Sequence, residues 1–429
     1  MTARGTTTTN RPRERAALVA LTTRARHSPD PDIALDELAG LAHAAGADVV
    51  LRLVQERGAP DPATLIGRGK AEQLARGVEE TSATIVIVDN DITPGQARNL
   101  EKVSGRRVVD RTELILDIFA HRARTHEGKL QVELAQLQYA LPRLAGSRTD
   151  LSRLGGGIGT RGPGETKLET DRRRIRHRIA ALKKDIADVQ RRRGYLRARR
   201  RRSEAPVVAL VGYTNAGKTT LFNGLTGAGA VTSDALFVTL DPLVRRLTLG
   251  GERHVLLTDT VGFIDRLPHQ LVAAFHATLE EVARADLLVH VADAAVADRD
   301  RRADAVRSVL AEVGAAGVPT IEVFNKIDLV EEPVLAALKK AHPDAILVSA
   351  ARRIGFDDLI ATIESRLALD QERVRLTLDD RRERDRRMLA DLYRHGRVIS
   401  QVMERDRIAV EADVPRRMLG RFARGRVPA

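Results

Sequence analysis

The spacing of apolar residues changes period along the chain, and each change marks a change of architecture. From about Ala16 to Asp110, short β-type runs ("ADVVLRLV", "ATIVIVD", "RRVVD") alternate with amphipathic stretches such as Lys70 to Glu80. Strands alternating with helices predict a small α/β unit. From Leu114 the period becomes helical. Leu130, Leu134, Leu137, Leu141 and Leu144 recur at spacings of four and three, and Leu168, Ile175, Leu182, Val189 and Leu196 recur every seven, joined by Ile179 and Ile186. Both are narrow seams of the coiled-coil kind, and two such helices joined by a short connection predict an antiparallel hairpin. Past Pro206 apolar strands return, and beyond Leu369 "VRLTL", "RRMLADLYRHG" and "RIAVEADVP" predict a small α+β appendage.

A chain of 429 residues holds two to four domains of ordinary size. The pattern divides it into a disordered basic tail at 1–13, an N-terminal α/β subdomain at 14–111, a helical hairpin at 112–204 with its tip loop at 145–166, a nucleotide domain at 205–369 and a C-terminal domain at 370–429. Thr166 and Glu169 have capping-box spacing, which places the start of the second hairpin helix there.

Charge sharpens the hairpin. Between Arg172 and Arg202 fifteen Lys and Arg face two acids, so the whole net charge of +13 sits in this one segment. Such concentration marks an interaction surface for a polyanion, against the plainer reading of a solvated helix face. Just before it, Gly155 to Gly164 places six glycines in ten residues. Bare backbone at Gly155, Gly156, Gly157, Gly162 and Gly164, charged by Arg148, Arg153 and Arg161 and continued by Arg172, Arg173 and Arg174, suits a finger entering a phosphate-lined cleft; a flexible linker is the alternative.

Other totals exclude classes. With no cysteine there is no disulfide framework or thiolate chemistry, which suits a reducing cytoplasm. No apolar run approaches the roughly 20 residues of a membrane span, and "AALVAL", Ala16 to Leu21, is too short for a signal-peptide core. The Thr- and Arg-rich N-terminus has an organellar transit peptide as its alternative reading. The eleven histidines show no metal-site spacing. "LIGRGKAEQL", Leu65 to Leu74, reads as a helix-start turn, with an anion site as the rival.

After the strand "PVVALV" comes "GYTNAGKTTLFNGL", which satisfies G-x-x-x-x-G-K-[ST] from Gly212 to Thr219 in strand, turn and helix context. Backbone N–H groups around Asn215 to Lys218 would cradle a β-phosphate, Lys218 would reach the β and γ oxygens, and Thr219 would ligate Mg²⁺. The same loop contributes Gly212, Tyr213, Thr214, Ala216, Gly217 and Thr220. "HVLLTDTVG" ends a strand at Asp259, placed to hold Mg²⁺ through water, with the Gly262 N–H available to the γ-phosphate. "NKID" then selects the base: the Asp328 carboxylate accepts two hydrogen bonds that guanine offers and adenine does not, Asn325 braces the loop and the Lys326 stem covers the ring. In "ILVSA", Ser349 and Ala350 bring an N–H toward guanine O6. The nucleotide is therefore GTP. After Gly262, Phe263 stands where signalling GTPases carry a water-positioning glutamine, so intrinsic turnover is expected to be slow.

"GGGIGTRGPGETKLETDRRR", "GYTNAGKTTLFNGL" and "LFVTLDP", with the order P-loop, "DTVGF", "NKID" and "SA", resemble the HflX family of ribosome-associated GTPases across nearly the whole chain. The resemblance implies an α/β multidomain fold: an N-terminal α/β subdomain with an antiparallel helical hairpin, a Ras-like P-loop GTPase domain and a small C-terminal α+β domain. It implies binding to the large ribosomal subunit and its RNA, with the hairpin loop near the peptidyl transferase centre, and separation of ribosomal subunits under stress, with hydrolysis driving release. A ribosome-assembly GTPase and a ribosome-plugging module with incidental turnover are the alternatives. By the same resemblance Thr239 is the switch threonine that ligates Mg²⁺ when the γ-phosphate is present, with Thr232 a weaker candidate. Asn215 stands where related GTPases hold K⁺, and the docked ribosome is the other source of the missing catalytic group. Lys218, Thr239, Gly262 and Asn215 make up the expected catalytic set of a monomeric enzyme.

Overall fold

The computed structural model describes residues 13–23, 30–144, 163–200, 205–230, 232, 236–237, 243–249, 254–266, 271, 282–368, 371–404, 407–415 and 418–422. Among the described residues there are three sheets, two parallel or nearly so and one antiparallel.

The first sheet has the order β2-β1-β3-β4, all parallel, from β1 (Glu14–Thr22), β2 (Ala47–Glu56), β3 (Ile85–Val88) and β4 (Arg107–Asp110). Helices α1 (Pro31–Ala44), α2 (Arg68–Glu80) and α3 (Pro94–Ser104) connect the strands. β1 is buried on both faces: Ala16, Leu18 and Ala20 face one core and Ala17, Val19 and Leu21 the other. A strand covered twice loses its polar alternation, which is why "AALVAL" carries no strand period. The Leu65 to Leu74 turn opens α2 with Gly67 as N-cap, whose N–H is donated to Gln55 Oε1 at 2.7 Å, as an ordinary helix start requires.

Helix α4 (Arg111–Arg122) differs from its expected place in the hairpin. Leu114, Ile115, Leu116, Ile118 and Phe119 are buried around most of its circumference, so it packs into the sheet's core. The hairpin itself consists of α5 (His126–Arg143) and α6 (Pro163–Arg200). Leu130 and Leu134 meet Leu182 and Ile186, with Leu137, Ile179 and Val189 against them, and Arg178 forms a two-pronged pair with Glu133 at 2.7 and 2.8 Å. α6 starts at Pro163 rather than at the Thr166 cap, because proline is preorganised for the first helical position and cannot continue one. The loop-proximal end of α5 is tied to the sheet by Asp110, which accepts from Tyr139 Oη at 2.6 Å and Arg143 at 2.6 Å.

The second sheet runs β10-β9-β8-β5-β7-β6, from β5 (Val207–Val211), β6 (Leu243–Thr248), β7 (His254–Asp259), β8 (Leu287–Asp293), β9 (Thr320–Asn325) and β10 (Ile346–Leu347), with only β6 antiparallel. Helices α7 (Lys218–Thr226), α8 (Arg299–Glu312), α9 (Glu332–Ala341) and α10 (Phe356–Ala368) accompany it. The chain goes from β5 outward to β7 and returns to β8 on the other side. The carboxyl end of β5 is thus the topological switch point, where open α/β sheets bind ligands.

The C-terminal sheet, β11-β13-β12, is antiparallel, from β11 (Gln371–Asp379), β12 (Arg397–Glu404) and β13 (Arg407–Pro415), with α11 (Glu383–His395) and the short α12 (Leu419–Phe422) beside it. Val374, Leu376 and Leu378 alternate inward. β12 lies outside the sequence expectation because it is an edge strand with Ile399, Val402 and Met403 exposed and no clean alternation. Among the described residues no helix is long and apolar enough to cross a membrane.

Candidate nucleotide-binding site

β5 ends at Val211 and α7 begins at Lys218, and the six residues between them wrap the switch point. Two glycines are fixed by close approach. A Cβ on Gly212 (φ 150) would lie 2.2 Å from Val291 O, and one on Gly217 (φ 88) 2.2 Å from Asn325 Nδ2. Asn215, at φ 59, takes the left-handed conformation that asparagine tolerates. Lys218 is buried, and its amine donates to Gly212 O at 3.0 Å and Tyr213 O at 2.8 Å. Burial lowers its pKa from 10.5 to about 8, opposed by nearby Asp259.

These residues open on a cavity of about 530 Å³. Of the expected set, Thr214, Asn215, Gly217, Lys218, Thr219, Thr220, Gly262, Asn325, Lys326, Asp328 and Ala350 line it, as does Thr232. Thr260 of "DTVGF", Phe237 of "LFVTLDP", Leu329 and Ala351 line it as well, none of them singled out by the sequence. Gly212, Ala216, Asp259 and Ser349 stand behind this lining. Thr219 Oγ1 donates to Asp259 Oδ2 at 2.8 Å, so a hydroxyl and a buried carboxylate meet beside the lysine. A Cβ on Gly262 would lie 2.8 Å from Thr214 Cγ2 and 3.2 Å from the Lys218 amine, which places the Gly262 backbone directly against the P-loop.

At the other end, Asn325 locks two loops together. Its Nδ2 donates to Ala216 O at 2.9 Å and its Oδ1 accepts from Ala350 N at 2.9 Å. The Ala350 N–H is therefore engaged by Asn325 rather than held out toward a base, and Ala351 is its neighbour on the cavity wall. Asp328 Oδ1 accepts from Ser349 Oγ at 2.6 Å, which orients the carboxylate. Lys326, at φ 65, lines the cavity and pairs with Asp293 at 2.7 Å. Both supports are absent from the motif pattern because they join residues from separate strands.

Two expected residues behave differently. The Tyr213 side chain is buried away from the cavity, bonded to Glu37 and to the Asp265 N–H, so only its backbone faces the loop. Phe263 is 1% exposed and packs in the core, its backbone paired with Gly212 and Thr214. Thr239, Arg148, Arg153, Gly155, Gly156, Gly157, Arg161 and Gly162 lie outside the described residues. Gly164 lies in the first turn of α6, and Arg173 and Arg174 are exposed on it while Arg172 is half-buried.

Three family models match in succession: a GTP-binding GTPase N-terminal region at residues 32–120, a GTP-binding GTPase middle region at 122–200, and a 50S ribosome-binding GTPase at 207–326. The GTPase HflX of Caldanaerobacter subterraneus subsp. tengcongensis is 48% identical over 404 residues, covering 94% of this chain and 92% of that protein. The chain belongs to the HflX family of GTPases. The GTPase HflX of Escherichia coli is 46% identical over 356 residues, 82% of this chain and 84% of its own length. Among solved structures, a GTP-binding protein from Sulfolobus solfataricus in complex with GDP is 25% identical, covering 82% of this chain and 98% of its own, with a TM-score of 0.41. As an HflX GTPase the chain hydrolyses GTP and has a P-loop GTPase domain with an N-terminal domain and a C-terminal antiparallel sheet.

Proposed function

We propose that this HflX GTPase docks its basic hairpin on the RNA of the large ribosomal subunit when GTP is bound, separates ribosomal subunits in the cytoplasm under stress, and leaves after hydrolysis. The observation that carries this reading is the joining of the two parts. Adjacent residues Asp110 and Arg111 hold, on one side, Tyr139 and Arg143 of α5 and, on the other, the Asp265 carbonyl that follows Gly262. The hairpin is thus attached to the loop that meets a γ-phosphate.

In the pocket the residues divide the work. P-loop amides from Asn215 to Lys218 cradle the β-phosphate, and the Lys218 amine exchanges its two carbonyl partners for phosphate oxygens. Asp328, oriented by Ser349, reads guanine, while Lys326 covers the ring and Asn325 fixes both loops. Thr219 and Asp259 present the hard oxygens that suit Mg²⁺, and among the described residues no group of three His, Cys, Asp or Glu forms a complete cage. Such a site fits an ion that takes its remaining ligands from phosphate and water. Bound there, Mg²⁺ would neutralise charge developing on the phosphates, with Thr239 as its GTP-dependent ligand. Asn215 would supply an amide oxygen to K⁺, were that ion bound beside the phosphates. The Phe263 ring is buried, so the chain positions no water from that side chain, and the missing catalytic group comes from K⁺ or from the docked ribosome.

On α6, Arg173 and Arg174 are exposed and contribute to the phosphate-binding face. Two variants separate the halves of the proposal. Arg173→Glu/Arg174→Glu should weaken large-subunit binding at least ~10-fold and flatten its salt dependence while leaving GDP affinity unchanged. Asp328→Asn should cost ~100-fold in GTP affinity because an amide donor then opposes guanine donors, and should weaken subunit binding only where GTP no longer saturates the site. Unchanged subunit binding in the arginine pair would contradict the docking role.

A further inference from the structure

The carboxyl ends of β1, β3 and β4 form the crest where a parallel sheet of this kind ordinarily receives a ligand. Here that crest receives the chain's own segment after Gly262. Asp89 follows β3 and Arg111 follows β4, and both are buried. Arg111 donates to Glu37 Oε2 at 2.7 Å, to Asp89 Oδ1 at 2.8 Å and to Asp265 O at 3.2 Å. Arg266 donates to Asp89 Oδ2 at 2.5 Å from a left-handed backbone at φ 54. The Tyr213 hydroxyl donates to Glu37 Oε1 and accepts from the Asp265 N–H, the latter at 2.8 Å.

Asp265 is therefore gripped at every polar group: its N–H by Tyr213, its carbonyl by Arg111 and its carboxylate by Arg301 at 2.7 Å. The charges close as well. Glu37 and Asp89 balance Arg111 and Arg266, so withdrawal of Arg266 leaves an uncompensated buried negative charge. One hydroxyl, on a P-loop residue, thus ties the N-terminal domain to both phosphate-facing loops. Core packing runs the same way, with Phe119 of α4 edge-on to Phe237 at 4.6 Å between ring centres.

We propose that Tyr213, Glu37 and Arg111 are positioning residues through which the N-terminal domain holds the Gly262–Arg266 segment in place for GTP hydrolysis. This inference rests on the assignment of the cavity as the GTP site. The clamped segment keeps the Gly262 backbone against Lys218 and Thr214. A segment fixed beforehand needs no ordering at the moment the γ-phosphate is attacked, which is preorganisation in the sense that lowers a barrier. GDP lacks the γ-phosphate that the Gly262 N–H is placed to meet, so its affinity should not register the clamp.

The test uses the full chain in single-turnover GTP hydrolysis, with GDP binding by calorimetry alongside. Tyr213→Phe keeps the ring and the P-loop backbone but strips Asp265 N–H of its acceptor and Glu37 Oε1 of its tyrosine donor. It should slow hydrolysis ~10-fold and change the GDP dissociation constant less than ~2-fold. Glu37→Gln should slow hydrolysis in the same direction. The double variant should be no slower than the slower single, because the two act through one connection. Hydrolysis at or above the wild-type rate in Tyr213→Phe overturns the proposal. So does an equal loss of GDP affinity, which would mean general damage to the pocket, or a double variant whose losses multiply. A wild-type chain that binds no GDP overturns the site assignment itself, and the relay with it.

Discussion

Lys218 carries an electrostatic cost in the pocket. Its folded pKa of about 8 lies below the 10.5 of an exposed lysine because burial disfavours the ammonium. A base depressed in this way destabilises the fold wherever it is charged: the penalty is full below about pH 8, shrinks as pH rises from 8 to 10.5 and is gone above. The gap corresponds to a penalty on the order of 3 kcal/mol. In nucleotide-free protein, Lys218→Met should raise unfolding free energy at pH 7 by ~1–3 kcal/mol, with the advantage declining between pH 8 and 10.5. Denaturant melts across that range check this, and a variant less stable than wild type at pH 7 contradicts it. At this scale the site was legible where recognition is local. Phosphate is bound by consecutive amides, so Gly212 to Thr219 spell it out in order. Ser349 on Asp328, Asp293 on Lys326 and Tyr213 on Glu37 join distant positions, and no local pattern announces them.

Helices and strands were legible in proportion to how unequally their faces are covered. The α5–α6 seam shows its spacing most plainly on α6, where Leu182 and Ile186 mark a single buried stripe, whereas α5 also buries Val132, Ala135 and Tyr139 in the main core. β1, buried on both faces, and β12, exposed at an edge, have no such contrast, and α4 hid within a general helical pattern because most of its circumference is covered. The seam is also a separate small cluster, so it should yield alone. Leu182 is fully buried in it. Leu182→Ala should loosen the hairpin by ~2–4 kcal/mol, read as faster amide exchange along α6, while GDP affinity stays within ~2-fold. Unchanged exchange in α6 would show that the seam does not hold the helices together.

Across the whole molecule, one core runs from Ala16 and Leu18 of the first sheet through Ile115 and Phe119 of α4 to Ala209, Val211 and Phe263 of the GTPase domain. The first sheet is therefore packed into the GTPase domain, and the loop-proximal end of α5 is held to it through Asp110. Packed cores switch between discrete arrangements rather than bending continuously, so a change beside Gly262 has a rigid route to α6. The account's central claim is that the third phosphate alters the grip of the basic hairpin on ribosomal RNA. Sedimentation of purified large ribosomal subunits with the full chain in GTP analogue, in GDP and without nucleotide measures it directly. Binding in the triphosphate state should be at least ~10-fold tighter than in the other two, a coupling of about 1.4 kcal/mol. Equal affinity in all three states would contradict the account.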